Sequence, residues 1–273
     1  MDLELAGKTV LITGASGGIG ATTARFMAKE KAELILHYYQ NEQRVTELAE
    51  ELETNTLIVQ ADLSNEQQVM GMYQEIADKI GRIDILICNA GIWPEEYTEI
   101  KDMSFERWRK TIEVDLNSVF FSIRSFIKQL ETFPEEYGNI VIVGSTAAIF
   151  GEAGHGDYAS TKAAITYGLT KTLKNEIISV ARLGRVNAIC PGWTVSPMTE
   201  KFLDDDSGIK WTLQTVPLRK LGQTEDIANI ITILASDKVS GHVSGEIITI
   251  AGGMEGRTLF DPGEIDISKA YKK

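Results

Sequence analysis

Short apolar runs alternate with longer mixed segments along almost the whole chain. The runs are rich in Val, Ile and Leu without regular polar alternation, which is typical of strands covered on both faces. They are Thr9–Thr13, Leu34–Tyr38, Thr56–Gln60, Ile83–Cys88, Asn139–Val143, Arg185–Ile189 and Glu246–Ile250. Helical periodicity lies between them, at 18–30, 42–53, 65–80, 104–131, 157–181 and 224–236. This order predicts right-handed βαβ units, and therefore an α/β fold with a single doubly wound parallel sheet of about seven strands flanked by helices.

Two stretches interrupt the alternation. Residues 193–217 form a long insertion after the sixth predicted strand, with four large apolar side chains: Trp193, Met198, Phe202 and Trp211. Long irregular loops often cover binding sites, so we interpret it as a substrate loop; a surface excursion packed by its own aromatic residues is the alternative. The polar tail at 254–273 either covers a neighbouring subunit or frays. The sequence therefore predicts one domain over 1–253, followed by this tail.

Composition and charge narrow the class of protein. The 273 residues are 43% hydrophobic and 24% charged, and 27 Lys and Arg against 39 Asp and Glu give a net charge of −12. That negative field disfavours nucleic acid and anionic membranes as partners. Cys88 and Cys190 are too few for a disulfide framework, and we expect both to be small buried apolar residues. No signal peptide or membrane span is visible, so we expect a cytoplasmic protein.

A glycine-rich turn follows the first predicted strand and opens a helix. It reads Thr13-Gly14-Ala15-Ser16-Gly17-Gly18-Ile19-Gly20. Glycine lets the backbone approach a ligand closely, and the helix N-terminus offers free N–H groups to a pyrophosphate. Alone, such a turn is weak evidence, but its place between strand and helix strongly indicates dinucleotide binding. We expect the cofactor to be held here by Gly14, Ser16, Gly17, Gly18, Ile19 and Gly20.

This turn resembles the T-G-x-x-x-G-x-G motif of the short-chain dehydrogenases/reductases. The resemblance covers nearly the whole chain in the family's order, with Asp62-Leu63, Asn89-Ala90-Gly91, Ser145, Tyr158-Ala159-Ser160-Thr161-Lys162 and Pro191-Gly192, although Cys88 replaces an Asn that usually precedes Asn89. It implies a Rossmann fold and an NAD(P)-dependent oxidoreductase that interconverts a carbonyl and a secondary alcohol. It also implies cofactor contacts from Asp62, Leu63, Asn89, Ala90, Gly91, Tyr158, Lys162, Pro191, Gly192 and Thr194.

Tyr158 and Lys162 stand four residues apart on a predicted helix, so their side chains share a face. A nearby ammonium stabilises a phenolate, and we expect Lys162 to lower the tyrosine pKa from its usual value of ~10. The resemblance implies that Tyr158 is the acid/base, that Lys162 also binds the nicotinamide ribose, and that Ser145 orients the substrate oxygen. The alternative is an exposed helical pair without a catalytic role.

Asp115 stands where the resemblance leads us to expect a catalytic Asn, in the segment Val114-Asp115-Leu116-Asn117-Ser118. In the family this residue helps to hold a water that links the Lys to solvent, partly through its backbone carbonyl. The backbone part would survive the change, whereas a carboxylate cannot donate a side-chain hydrogen bond. We include Asp115 among the catalytic residues and expect activity to be retained.

The end of the second predicted strand favours NADP over NAD. NAD-specific relatives carry an acid there, which accepts a hydrogen bond from the ribose 2′-OH. Here the strand ends in Tyr38, Tyr39, Gln40 and Asn41, so no carboxylate repels a 2′-phosphate. The basic residues that select NADP are also missing, since Gly17 and Tyr39 occupy their usual positions. We expect Tyr38 and Tyr39 to contact the cofactor and NADP to be preferred, with NAD as the alternative.

The substrate stays open at this point. Similarity is broadest to 3-oxoacyl-carrier-protein reductases and to bacterial-type sugar or polyol dehydrogenases. A 3-oxoacyl thioester is one expected substrate, and a sugar or polyol is the alternative. Docking of an acyl carrier would need a basic patch, for which the candidates are Arg124, Lys128, Arg219 and Lys220. A third possibility is a catalytically weak nucleotide-binding regulator, for which Asp115 is the only support. The resemblance also implies a homotetramer or homodimer.

The histidines lack metal-ligand spacing, and we predict no metal site. We interpret His37 as strand packing, His242 as loop structure and His155 as a solvated loop residue, with substrate contact as the alternative for His155. The acidic run at 204–206 is interpreted as a solvated loop.

Overall fold

The structure is a computed structural model and describes residues 2–203 and 206–271. Within this part of the chain, seven strands form one parallel sheet in the order β3-β2-β1-β4-β5-β6-β7. The strands are β1 Thr9–Ile12, β2 Glu33–Tyr38, β3 Thr56–Gln60, β4 Ile85–Cys88, β5 Asn139–Val143, β6 Arg185–Pro191 and β7 Ile247–Ile250. The predicted α/β fold is confirmed, and every predicted strand is present with its ends moved by two residues at most.

Helices connect the strands and cover the sheet. They are α1 Gly18–Lys29, α2 Glu42–Glu51, α3 Glu66–Lys79, α4 Phe105–Ile112, α5 Ser118–Thr132, α6 Ala147–Phe150, α7 Gly156–Ala163, α8 Thr170–Glu176, α9 Asp206–Leu213, α10 Thr224–Ala235 and α11 Asp237–Ser240. The two long predicted helices each contain a π-helical stretch, Glu113–Asn117 between α4 and α5 and Ala164–Leu169 between α7 and α8. Such turns are frequent at functional sites, and the first one contains Asp115.

The inner strands β1, β4, β5 and β6 are buried on both faces, which explains their unbroken apolar runs. Successive side chains of one strand enter different hydrophobic clusters: Leu11 belongs to one cluster, whereas Val10 and Ile12 belong to the other. Strand β5 repeats this arrangement, with Ile140 on the first side and Val141 on the second. Because both faces need apolar residues, the period of two that marks a half-exposed strand is absent.

The order of the strands creates the crevice that matters for function. Strand β1 pairs with β2 on one side and with β4 on the other, so the connections run in opposite directions from β1. In open parallel sheets, ligands bind at such a switch point, beyond the carboxyl ends of the strands. The glycine-rich turn after β1, Asn89 after β4 and Ser145 after β5 all lie at this edge.

A third hydrophobic cluster joins the insertion to the tail. It contains Leu203, Ile209, Leu213, Val216, Leu221, Ile265 and Ala270. The Leu221 N–H donates to the Ala270 carbonyl at 2.8 Å, and the Leu259 N–H donates to the Gln214 carbonyl at 2.7 Å. Within the described residues, the tail therefore packs on its own chain instead of fraying, since Ile265 and Ala270 are buried there. The domain boundary after residue 253 stays a prediction.

The insertion is more regular than the sequence indicated. Helix α9 occupies 206–213, whereas an irregular loop was expected over the whole insertion. The helix has only about two turns, and its buried apolar residues pack against the distant tail. Its apolar periodicity is therefore too short to indicate a helix from the sequence. Two residues of the acidic run, 204 and 205, lie outside the described residues, and Asp206 begins α9.

Both cysteines are free and buried, as expected. Among the described residues, no helix is long and apolar enough to cross a membrane.

Candidate active site

The glycines of the turn after β1 are required by close packing. Gly14 has φ +64°, and a Cβ on it would lie 2.9 Å from the Ala90 Cα. A Cβ on Gly20 would lie 2.5 Å from the Gly14 carbonyl oxygen. The Asn89 side chain donates to the carbonyls of Thr13 and Gly14 at 3.0 and 3.1 Å. The loop is thus fixed from the side of β4, and only glycine fits at these positions.

His37 fixes the same loop from the side of β2. Its Nδ1 accepts from the Gly14 N–H at 3.1 Å, and its Nε2 lies 3.0 Å from the Ala61 carbonyl. Because a carbonyl only accepts, Nε2 carries the proton. Burial lowers the pKa of His37 to about 4, so the ring is neutral at pH 7. The role is therefore more specific than the predicted strand packing, because the imidazole bridges the loop and the end of β3.

Ser145, Tyr158 and Lys162 come together at the carboxyl end of β5. Both Tyr158 and Lys162 are buried, which rules out the exposed helical pair. The Lys162 Nζ donates to the Val143 carbonyl at 3.2 Å and lies 5.5 Å from the centroid of the Tyr158 ring. Ser145 forms a hydrogen bond with the Tyr158 side chain. The group therefore offers two hydroxyls and an ammonium at one place.

The pKa of Tyr158 moves in the direction opposite to the prediction. Burial raises it well above the ordinary value, and the charge of Asp115 raises it further, whereas the hydrogen bond with Ser145 lowers it only in part. The predicted lowering of this pKa is therefore wrong for this structure, because the loss of hydration on burial outweighs the hydrogen bond with Ser145. The phenol therefore keeps its proton at neutral pH, which is the form of a proton donor.

Asp115 is fully buried in the first π-helical stretch. Its Oδ1 accepts from the Ile92 N–H at 2.8 Å, and its Oδ2 is buried without a hydrogen-bond partner among the described residues. Burial raises its pKa to about 6, although the Lys162 charge and the Ile92 N–H act in the other direction. Gly91 separates the two side chains, since a Cβ there would lie 3.0 Å from Asp115 Oδ1 and 3.3 Å from Lys162 Nζ. Holding the backbone at Ile92 needs only an acceptor, which Asp and Asn both supply.

A buried ion pair positions the start of α7. The Arg107 Nε donates to Asp157 Oδ2 at 3.1 Å, and the Thr111 hydroxyl donates to the same oxygen at 2.8 Å. Burial opposes ionisation of Asp157, but these hydrogen bonds outweigh it and the pKa lies below its ordinary value. Arg107 also donates to the Gly154 carbonyl at 3.0 Å. This network fixes the residue next to Tyr158, and no sequence signal indicated it.

One cavity of about 1290 Å³ connects these groups. Its walls include most of the predicted site residues: Gly14, Ser16, Gly17, Gly18, Ile19, Tyr39, Asp62, Leu63, Asn89, Ala90, Gly91, Ser145, Tyr158, Lys162, Pro191, Gly192 and Thr194. Three predicted residues do not line it. Gly20 packs beneath the loop, Tyr38 packs against the core, and Asp115 lies behind Gly91.

The end of the cavity beyond Tyr158 is aromatic. The rings of Trp193 and Phe202 are stacked with centroids 4.7 Å apart, and Trp93 meets them edge-on at 5.8 and 6.0 Å. Trp211 extends the cluster at 6.2 Å from Trp193. The insertion therefore forms a wall of the cavity, and its role as a substrate loop stays a prediction. Sequence reasoning missed Trp93, although it follows the Asn89-Ala90-Gly91 motif.

His155 is buried, whereas a solvated loop residue was expected. Its ring stacks on Trp93 with centroids 5.0 Å apart and lines the cavity. Sequence reasoning also missed Glu152, Met254 and Gly256 as lining residues. Met254 and Gly256 come from the tail, so the tail forms part of the cavity wall.

Comparisons with known proteins agree with this geometry. A family model described as Enoyl-(Acyl carrier protein) reductase matches residues 14–255. A 3-oxoacyl-(acyl-carrier-protein) reductase from Rickettsia felis is 35% identical over 253 residues, 92% of this chain and 98% of that protein. A solved short-chain dehydrogenase/reductase from Brucella melitensis, described as glucose/ribitol dehydrogenase, has a TM-score of 0.83 at 29% identity and covers 93% of this chain and 99% of its own.

The chain belongs to the short-chain dehydrogenase/reductase family. It is an oxidoreductase that uses a nicotinamide cofactor to interconvert a carbonyl and a secondary alcohol. A putative gluconate dehydrogenase from Agrobacterium tumefaciens has a TM-score of 0.86 at 25% identity, covering 93% of this chain and 98% of its own. The family and enzyme class predicted from the motifs are therefore confirmed.

The residues present fit a dinucleotide. The glycine cradle leaves the backbone of the loop open to a ligand, and the N-terminus of α1 follows it with Gly17 as N-cap. Free N–H groups there suit a pyrophosphate. The cavity is larger than the 300–1,000 Å³ of typical single-ligand pockets, which leaves room for a substrate beside the dinucleotide.

Proposed function

We propose that this enzyme is an NADP-preferring reductase of 3-oxoacyl thioesters. The observation that carries the proposal is the meeting of Ser145, Tyr158 and Lys162 in the cavity that begins at the glycine-rich loop. The Rickettsia felis relative and a 32% identical relative from Synechocystis sp. are both 3-oxoacyl-(acyl-carrier-protein) reductases, and each is matched over 98% of its length. Their names support the thioester as substrate class.

The roles follow from the chemistry of each group. Ser145 and Tyr158 present two hydroxyls that hydrogen-bond a substrate carbonyl oxygen, and Tyr158 donates its proton as that oxygen becomes an alcohol. The nicotinamide, when bound, supplies the hydride. Lys162 keeps a positive charge beside the phenol, which stabilises the phenolate left after transfer. Burial keeps Tyr158 protonated before the reaction, which suits reduction.

We assign the cofactor contacts to the cavity-lining loop residues and to Asp62, Leu63, Asn89 and Thr194. The preference for NADP rests on the end of β2, where Tyr39, Gln40 and Asn41 line the cavity without a carboxylate. The Asn41 side chain accepts from the Arg44 N–H at 3.2 Å and caps α2. None of these three side chains is negatively charged, so none of them repels a 2′-phosphate.

Two measurements test the proposal. Thermal unfolding with NADPH, NADP, NADH and NAD separately should show stabilisation by the phosphorylated pair, because a ligand at 100 times its Kd adds about 2.7 kcal/mol. Stabilisation by NADH and NAD alone would reverse the preference. Oxidation of NADPH, followed by its absorbance, should then accompany reduction of acetoacetyl-N-acetylcysteamine, a small thioester. No reduction of this thioester would contradict the substrate class.

A polyol dehydrogenase is the second candidate. The descriptions of the two structural neighbours, gluconate and glucose/ribitol dehydrogenase, favour it. The aromatic wall also favours it, because rings pack well on the C–H faces of sugars. Arg124 and Arg219 were two of the candidates for a basic patch that would dock an acyl carrier. Each has a partner within the chain, because Arg124 pairs with Glu66 and Arg219 lies over the Phe260 ring. NADP-dependent oxidation of ribitol without thioester reduction would favour this candidate.

We further propose a homotetramer or homodimer. Phe105, Phe120 and Tyr167 expose 76%, 44% and 44% of their surface on the two long helical regions. Exposed aromatic side chains of this kind suit an interface between subunits. Light scattering of the purified protein should give a mass of two or four chains, and a monomer mass would contradict the proposal.

A further inference from the structure

Three side chains beside Tyr158 form a hydrogen-bonded cluster that the proposed reaction does not use. The Trp93 Nε1–H donates to Glu152 Oε1 at 2.8 Å, and His155 Nδ1 lies 3.4 Å from the same oxygen. His155 Nδ1 also faces the Ala153 carbonyl at 3.3 Å. Since both neighbours of Nδ1 are acceptors, Nδ1 carries a proton. Trp93 and His155 thus hold Glu152 Oε1 from two sides.

His155 is buried, Trp93 and Glu152 are half-buried, and the cluster opens on the cavity. The side chains of Glu152 and His155 expose only 20% and 7% of their surface, yet all three residues line the cavity wall. His155 Nε2 is buried and has no hydrogen-bond partner among the described residues. Buried polar atoms are rarely left unpaired, so a group entering here gains a partner.

The cluster and Tyr158 line the same cavity. The charge of Glu152 is close enough to raise the pKa of Tyr158, and burial raises the pKa of Glu152 itself. Trp193 and Phe202 extend the aromatic surface from Trp93, at 5.8 and 6.0 Å between ring centroids. A carboxylate beside aromatic faces suits a compound that has C–H faces and hydroxyl donors.

We infer that Trp93, Glu152 and His155 form a substrate subsite that accepts a hydrogen bond from a hydroxyl group next to the reacting carbon. The substrate class would be a cyclic or polyhydroxylated hydroxyketone, or the corresponding polyol. This inference rests on the proposed carbonyl chemistry of Tyr158, and it favours the second candidate, since the 3-oxoacyl part of a thioester has no hydroxyl at this place. Trp93 orients Glu152, and Glu152 makes the contact.

Matched substrates with and without the hydroxyl test the subsite. NADPH-dependent reduction of 2-hydroxycyclohexanone should exceed that of cyclohexanone by about 10- to 100-fold in kcat/KM, mostly through KM, because a hydrogen bond to a charged group has this strength. Glu152→Leu should bring the ratio close to one. Glu152→Gln should retain part of the preference, since its amide oxygen still accepts. Trp93→Phe should also weaken the preference, because the ring stays while the N–H that orients Glu152 is lost.

Glu95 provides a matched control. It is another cavity glutamate, but it is exposed and pairs with Lys201 at 3.0 Å. Glu95→Gln should leave the ratio unchanged. The Kd for NADPH should stay the same in every variant, which shows that the fold is intact. A ratio that Glu152→Leu and Trp93→Phe both leave unchanged would overturn the subsite.

A binding measurement separates this inference from the proposed reaction. Ribitol should quench the tryptophan fluorescence of the NADP-loaded enzyme, and Glu152→Leu should weaken its binding about tenfold or more. If thioester and cyclohexanone are not reduced but ribitol binding depends on Glu152, the reaction is wrong and the subsite stands. If carbonyls are reduced, but neither the hydroxyl preference nor ribitol binding is found, the reaction stands and the subsite is overturned.

Discussion

The two ends of the cavity are built in different ways. At the cofactor end, backbone groups lie close to one another, and the glycine-rich loop is fixed by His37 on one side and Asn89 on the other. At the substrate end, large aromatic side chains form the wall, and the tail holds the loop that carries them. The first end needs glycines that carry no side chain, whereas the second end is built from large aromatic side chains.

This difference follows from what each end has to recognise. A dinucleotide presents the same phosphates in every reaction of this kind, so backbone N–H groups on a rigid sheet edge are sufficient. Substrates vary, and loops tolerate change more easily than strands do. The matched family region ends at residue 255, whereas Ile265 and Ala270 in the third cluster lie beyond it. The substrate end thus uses residues outside the family match.

Tyr158→Phe should give the largest effect. It should slow the chemical step, which takes place where the cofactor end of the cavity meets the substrate end. Removing the hydroxyl should lower kcat by about 10³-fold, within the range for general acid catalysis. The Kd for NADPH, measured by fluorescence titration, should change little. Turnover within tenfold of the unmodified enzyme would contradict the role of Tyr158 as the general acid.

Gly20→Ala should damage the cofactor end alone. Its Cβ would lie 2.5 Å from the Gly14 carbonyl oxygen, so the loop has to move. We expect stability to fall by about 1–3 kcal/mol, with at least a tenfold (~1.4 kcal/mol) weaker Kd for NADPH. Gly71→Ala in α3 is the control, because a Cβ there meets nothing within 4 Å. That change should stabilise the fold by about 0.5–1 kcal/mol. Equal effects at both positions would argue against a packed loop.

Ile265→Asp should damage the substrate end alone. Ile265 is buried in the third cluster, so a charge there separates the tail from the insertion. We expect KM for the thioester to rise by about tenfold (~1.4 kcal/mol) while the Kd for NADPH stays unchanged. Gly263→Ala is the control, as a Cβ at this exposed position has open space. An equal loss of cofactor affinity would mean that the two ends are not independent.

Asp115→Asn should have the smallest effect on turnover, less than about tenfold (~1.4 kcal/mol), because an amide oxygen also accepts from Ile92. Its effect on stability should depend on pH. The folded pKa of Asp115 is about 6, above its ordinary 3.8, so the stability that its protonated form contributes is lost as pH rises through 6. Relative to the Asn variant, the unmodified enzyme should therefore lose up to about 3 kcal/mol between pH 4 and 7. Unfolding by urea at several pH values measures this difference, and a constant difference would contradict the raised pKa.

The fold and the cofactor end could be predicted because their signals are local. Burial on both faces gives the inner strands their apolar runs. The tight turn between the first strand and the first helix has its glycines within eight residues, from Thr13 to Gly20. Tyr158 and Lys162 share a face of α7 because four residues make about one helical turn. These relations hold between near neighbours, so the sequence determined them by itself.

The substrate end and the charge states were decided by the tertiary structure. Trp93 and Glu152 lie 59 residues apart in sequence, and the tail meets α9 only after the chain has folded. The pKa values of His37, Asp115 and Tyr158 depend on how much water the surrounding elements remove, which no local pattern records. Hydration and long-range packing are properties of the assembled molecule. For this reason the sequence indicated Tyr158 as a site residue but predicted the wrong direction of its pKa shift.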